Sequence, residues 1–149
     1  MADLNFEKER IQITPIILYI DYITLHFQKY LKNKYSDITP RDFTYLSNIY
    51  YNQNCSQKQL ADLLYVSESN VAQIIKKLEK NGLITRCSDK TNKSKKIINL
   101  SEKGKLILFS LIKDVYEWDA KIFDQYTKEE VELFKKMIYD YSNKSINNL

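Results

Sequence analysis

The sequence predicts a mainly α chain with one small β-hairpin, an α+β class, and three observations predict it. Glycine and proline are scarce, two of each in 149 residues, which argues against a loop-rich all-β fold. Apolar residues recur at three- and four-residue spacings through most of the chain, as in helices that bury one face. Only residues 83–87 and 96–100 break that period, and both read as short strands.

Helix boundaries are marked by their caps. Thr14-Pro15 and Thr39-Pro40 each set a capping side chain before a proline at the first helical position. The first helix is expected from Ile16 to about Lys34, ~30 Å at 1.5 Å per residue. Ile16, Ile17, Leu18, Ile20, Ile23, Leu25, Phe27 and Leu31 cover more than one stripe of it, so it should pack between other helices or across a subunit interface. The second helix runs from Pro40 to about Tyr51. Ser56-Gln57-Lys58-Gln59 is a capping box that opens a short third helix through Leu64. Tyr65-Val66-Ser67 breaks it, and Ser67 caps a fourth helix that stops at Asn81-Gly82. Two helices joined by so short a turn form a helix-turn-helix.

The two strands enclose a polar tip, residues 88–95, with four charges. Ser101-Glu102-Lys103-Gly104 starts a fifth helix expected to reach about Gln125. Thr127-Lys128-Glu129-Glu130 caps a sixth that ends near Asn143.

The charge is unevenly placed. Between Ser67 and Lys105, ten Lys or Arg face four Asp or Glu, a net +6, so the rest of the +4 chain carries −2. A basic segment on a helix and hairpin is what a phosphate-binding surface needs; its bland counterpart is a solvated lysine-rich face. Geometry favours the former. Val71, Ile74, Ile75 and Leu78 form the buried face of the fourth helix, and Ser69, Gln73, Lys76 and Lys80 lie opposite, flanked by Asn70 and Lys77. Hydroxyl, amide and ammonium groups read base edges and phosphates in a major groove.

These features resemble the MarR family of winged helix-turn-helix regulators. The residues that carry the resemblance are Leu60-Ala61, then Leu78-Glu79-Lys80-Asn81-Gly82-Leu83-Ile84-Thr85-Arg86, then Leu100-Ser101-Glu102-Lys103-Gly104, with the wing length between Arg86 and Gly104 also matched. The resemblance implies one domain over residues 1–149: a winged DNA-binding part at 38–100, and a helical dimerisation part at 10–35 and 101–145. It also implies a homodimer on a double-stranded, pseudo-palindromic operator, most simply a repressor released by a small aromatic ligand. The apolar load of the fifth and sixth helices independently favours a dimer.

The expected DNA contacts divide by chemistry. Ser69, Asn70, Gln73 and Lys76 would meet bases or nearby phosphates. Ser67 lies at the cap beside them; Gln57, Lys58 and Lys77 would grip the backbone; Arg86, Lys93 and Lys95 would anchor the wing. One departure from the family stands out. Its wing tip carries D-x-R, with the arginine entering the minor groove, whereas Asn92, Lys93 and Ser94 stand there in this chain. Lysine lacks the planar fork suited to a narrow groove, so discrimination shifts toward the fourth helix, and Ser94→Arg should raise affinity for AT-rich operators.

Tyr19, Tyr22, His26, Tyr45 and Tyr116 are candidates to line an effector pocket, although aromatics so placed more often serve as core or interface, and a lone His is usually packed. Cys55, before the third helix, and Cys87, in the wing, are isolated. Neither lies in the first helix, where oxidant sensors of the family keep their cysteine. One His and two Cys argue against a structural zinc site, which needs four ligands, usually from those two residue types, and no metal or cofactor is expected. No hydrolase, metalloprotease, Walker or dinucleotide motif occurs, which excludes the common enzyme readings. No run approaches the ~20 apolar residues of a membrane span, and the N-terminus lacks a signal-peptide pattern, so no membrane partner and a cytoplasmic location are expected. Two other readings are a winged-helix protein-interaction module, disfavoured by a lysine-rich surface, and a constitutive or architectural DNA binder.

Overall fold

The computed structural model describes residues 11, 13–89, 91 and 96–146. In order they form α1 (Ile16–Lys34), α2 (Pro40–Tyr51), α3 (Gln57–Leu64), α4 (Glu68–Lys80), β1 (Ile84–Ser88), β2 (Lys96–Leu100), α5 (Glu102–Ile122) and α6 (Lys128–Ile146). The chain divides into two compact units, residues 1–108 and 109–149, with the boundary inside α5.

Local capping chemistry decides most helix starts. Thr39 and Asp42 make a reciprocal capping box at α2, as do Ser56 and Gln59 at α3. Ser67 Oγ accepts from Asn70 N at α4 (3.3 Å). At α5, Ser101 Oγ accepts from Gly104 N (2.9 Å). Each cap satisfies an amide that the helix itself leaves unpaired, for about 1 kcal/mol. α1 differs from expectation. Pro15 stands outside it as the N-cap at ψ 141°, with no side-chain cap bond, and Leu18 N reaches back to the Pro15 carbonyl (3.0 Å). With no side-chain oxygen, Pro15 offers only its carbonyl to the first turn.

The core of the first unit is mainly apolar, with Asp42 the buried charged residue in it among those described. Leu31, Leu46, Ile49, Leu60, Val71, Ile75, Leu78, Ile98 and Leu108 are all fully buried. Phe27 of α1 meets the Phe43 ring edge-on, centroids 6.1 Å apart. β1 and β2 pair antiparallel, with Ile84 opposite Leu100 and Ser88 opposite Lys96. β1 starts at Ile84, one residue later than its apolar run, because Leu83 still closes the end of α4: its N–H donates to the Leu78 carbonyl (2.9 Å). A single antiparallel bridge from Cys55 to Ile98 adds a third, one-residue strand. Asn54 and Asn99 reinforce it, Asn54 N donating to Asn99 Oδ1 (2.8 Å) and Asn99 Nδ2 to Asn54 Oδ1 (2.9 Å).

Gly104 makes the closest approach of the unit. A Cβ there would lie 1.9 Å from the Leu83 carbonyl oxygen, so only glycine lets α5 leave the hairpin at this angle. Helix α1 is left apolar in water: Ile16, Ile17, Leu18, Ile23 and Leu25 are each about half exposed.

In the second unit, α5 stops at Ile122, three residues short of expectation, where Tyr126 N donates to the Phe123 carbonyl (3.0 Å) in a turn. Thr127 and Glu130 then cap α6, Thr127 N donating to Glu130 Oε2 (2.8 Å), and α6 continues three residues past Asn143. Phe123 packs against Tyr126 and Phe134 at centroid distances of 6.2 and 5.5 Å. Phe109, Tyr116, Leu133, Phe134, Met137 and Ile138 remain exposed. Among the described residues, no helix is long and apolar enough to cross a membrane.

Candidate nucleic-acid interface

The sequence-predicted buried face of α4 faces inward: Val71, Ile75 and Leu78 are fully buried and Ile74 is half-buried. That fixes the other side. Ser69, Asn70, Gln73, Lys76 and Lys80 are all exposed, and spacings of three and four residues keep Ser69, Gln73, Lys76 and Lys80 on one stripe. Lys76 and Lys80 have no carboxylate partner among the described residues. At the start of the stripe, Ser67 Oγ and Ser69 Oγ share a hydrogen bond of 2.9 Å.

Lys77 and Gln57, expected at the DNA backbone, and Arg86, expected to anchor the wing, each have a partner inside the protein. Lys77 is half-buried and its Nζ donates to Asp42 Oδ2, because a fully buried carboxylate needs a counter-charge. The same Asp42 oxygen accepts from Thr39 N and Thr39 Oγ1, both at 2.8 Å. The pair therefore ties the last turn of α4 to the start of α2. Arg86 Nε and Nη2 both donate to Glu79 Oε2, at 3.0 and 2.7 Å. These bonds hold the Glu79 carboxyl below its usual range and raise the guanidinium above its own. They pin β1 to α4, so Arg86 braces the wing root. Gln57 Nε2 donates to the Glu68 carbonyl (3.2 Å), joining α3 to the first turn of α4. Lys58 is exposed on α3, as expected of a backbone contact. Lys93 and Lys95, with Asn92 and Ser94, lie outside the described residues.

The free basic surface is thus narrower than the net charge of the segment. Besides Lys77 and Arg86, Lys105 pairs with Glu102 (2.7 Å) and Lys103 donates to the Asn81 carbonyl (2.9 Å). Asp42 and Glu79 were the residues that sequence reasoning missed. Thr-x-x-Asp was legible as a capping box, whereas a bond to a lysine 35 residues on was not.

The effector candidates fare unevenly. Tyr45 is buried, 3% exposed, and burial pushes its phenol above the ordinary value against the opposing pull of Arg41; it is a core residue. Tyr19 and Tyr22 are half-buried. His26 is exposed, against the expectation that it packs, and Tyr116 of the second unit is exposed too. Three clefts have other linings. One of about 270 Å³ lies among Tyr35, Asp37, Asn81 and Lys103, one of about 280 Å³ by Asn52 and Cys55, and one of about 410 Å³ by Phe123 and Phe134. Among the described residues, no three of His, Cys, Asp and Glu gather as a metal site would require.

The MarR family profile matches residues 38–96, the segment from the start of α2 to the start of β2. An uncharacterized HTH-type transcriptional regulator of Bacillus subtilis (strain 168), YybA, is 32% identical over 104 residues, 69% of each chain. The chain belongs to the MarR family. It is a transcriptional regulator of the helix-turn-helix type and not an enzyme. The crystal structure of MarR superposes with a TM-score of 0.80 at 21% identity, covering 90% of this chain and 92% of that one. A MarR-family regulator from Listeria monocytogenes, solved in complex with 26mer DNA, superposes at 0.77 and 24% identity, covering 91% of each. The fold is that of the MarR-type winged helix, mainly α with a small β wing.

Proposed function

We propose that this MarR-family protein binds a double-stranded, pseudo-palindromic operator as a homodimer. It acts as a repressor that a small aromatic ligand releases. The observation that carries the reading is the exposed stripe Ser69, Gln73, Lys76 and Lys80, backed by a fully buried apolar face on the same helix. A helix so anchored can enter a major groove with amide and hydroxyl groups toward base edges. Ser67 and Asn70 flank the stripe and Lys58 lies on the preceding helix. Lys77, Arg86 and Gln57 serve the scaffold that presents it, and Lys93 and Lys95 supply wing contacts to phosphate. The complex of the Listeria monocytogenes relative with DNA supports the ligand class.

Dimerisation is supported by the apolar side chains that each unit leaves in water, on α1 and on α5 and α6. Patches of that extent mark interfaces. Two recognition helices then read half-sites one helical turn apart, about 34 Å. The winged part at 38–100 reads, and the segments 10–35 and 101–145 hold the two copies together in the cytoplasm. A ligand that favours a different spacing of the two heads releases the DNA by shifting the population.

The test separates base from backbone contacts. Gln73→Ala should relax preference at one operator position by about 1–3 kcal/mol. Lys58→Ala should weaken all sequences alike and make the salt dependence shallower by about one phosphate. Identical behaviour of the two variants rejects the assignment.

A further inference from the structure

The turn between α3 and α4 holds a strained residue whose strain the fold does not repay. Val66 N donates to the Ala61 carbonyl (3.1 Å) and Tyr65 N to the Asp62 carbonyl (3.4 Å), an arrangement that puts the residue after the helix in the left-handed region. That residue is Tyr65, at φ 53° and ψ 43°. Glycine usually occupies such a position, because a Cβ there crowds the neighbouring carbonyl. Asparagine is the common exception, because its short polar side chain is tolerated there, and Asn54 (φ 59°) is one, held besides by paired bonds to Asn99, 45 residues on. Tyrosine has no short polar side chain of that kind. The residue is 71% exposed, so burial does not offset the strain either.

Strain of this kind persists where function uses it. Tyr65 stands two residues before Ser67, the cap of α4, on the turn that leads directly into the exposed stripe. The geometry points to Tyr65 as a DNA-backbone contact, its phenol O–H donating to a phosphate oxygen beside the groove that α4 enters. This rests on the proposed DNA-binding function. A neutral donor suits the place, since the adjoining Asp62 and Glu68 are exposed carboxylates that a hydroxyl at the end of a long, rigid ring can reach past.

The contact gives the two variants different signatures. Tyr65→Gly removes ring and strain together, so it should raise the thermal midpoint by about 2–4 °C while lowering DNA affinity about 5–10-fold. Tyr65→Phe keeps the backbone and ring and should lower affinity alone. Both losses should be equal on a duplex from upstream of the protein's own gene and on a scrambled duplex of equal length, with the salt slope unchanged, since no charge is removed. Fluorescence anisotropy of both variants, Gln73→Ala and the wild-type protein on both duplexes, with a melt of each protein, is the test. Wild-type affinity in both Tyr65 variants beside an altered preference in Gln73→Ala overturns the contact and leaves the α4 reading standing. A loss confined to one duplex, or a lower midpoint for Tyr65→Gly, also overturns it. A wild-type protein that binds neither duplex at low salt overturns both.

Discussion

Gly104→Ala is the substitution for which general propensity and this structure disagree in sign. In an ordinary helix, alanine for glycine stabilises by about 1 kcal/mol. At position 104 the added Cβ would lie 1.9 Å from the Leu83 carbonyl oxygen and 2.9 Å from its carbon. Ordinary contact needs well over 3 Å, so α5 or the end of α4 must move by more than 1 Å. That carbonyl also accepts from Ser101 N (3.0 Å), and Leu83 is only 3% exposed. Overpacking costs about 1–3 kcal/mol and the strained hydrogen bond about 1. Set against the propensity gain, the net loss is about 1–3 kcal/mol. In urea, with a slope near 2 kcal/mol/M, the midpoint should fall by about 0.5–1.5 M. The assay is equilibrium unfolding by circular dichroism at one protein concentration, because association shifts apparent stability. An unchanged or raised midpoint with an unchanged slope would refute the close-approach reasoning.

The remaining expectations concern the scaffold and the two thiols. Asp42→Ala removes a cap and a charge-assisted bond, and should cost about 2–4 kcal/mol in urea unfolding; a change below about 0.5 kcal/mol, the range of an ordinary surface substitution, would mean that the tie between α2 and α4 is incidental. Gly82→Ala should cost only about 1 kcal/mol, since φ is +71° but the nearest atom, Lys103 Cδ, is 4.0 Å away; a loss as large as that at Gly104 would contradict the distinction. Cys87 is exposed, whereas Cys55 is buried and burial pushes its thiol above the ordinary 9.0, against the lowering pull of a backbone hydrogen bond. A thiol reagent at pH 8 should therefore modify one cysteine quickly and the second only after denaturation. Because the folded value is the higher one, this thiol contributes stability that is present below about pH 9 and lost as pH rises through the folded value. Rapid labelling of both thiols in the native protein would contradict the burial.

The parts legible in the sequence were those written within a few residues. Thr39, Ser56, Ser67, Ser101 and Thr127 each announced a helix, because a cap and the amide it satisfies lie three residues apart. Val71, Ile75 and Leu78 announced which side of α4 turns inward, and with it the exposed stripe. The rest depended on partners distant in sequence. Lys77 looked like any basic residue on a helix edge until folding brought Asp42 to it from 35 positions away. Arg86 and Glu79 are seven apart across a change of secondary structure, where helical spacing predicts nothing. Cys55 lay in an apparent loop because a one-residue bridge to Ile98 has no period to detect. Tyr65 was legible as the end of α3, but its left-handed backbone was not, since the residue type argues against it.

The function proposed for the exposed stripe of α4 is tested most directly by binding. The purified protein would be titrated by fluorescence anisotropy into the DNA upstream of its own gene and into scrambled DNA of equal length, over a series of salt concentrations. Steeply salt-dependent binding to both is expected, with a preference of ~10³-fold or more for the upstream sequence. Failure to bind either duplex at low salt would contradict the proposed function, and would leave a winged helix whose exposed lysines serve a partner other than DNA.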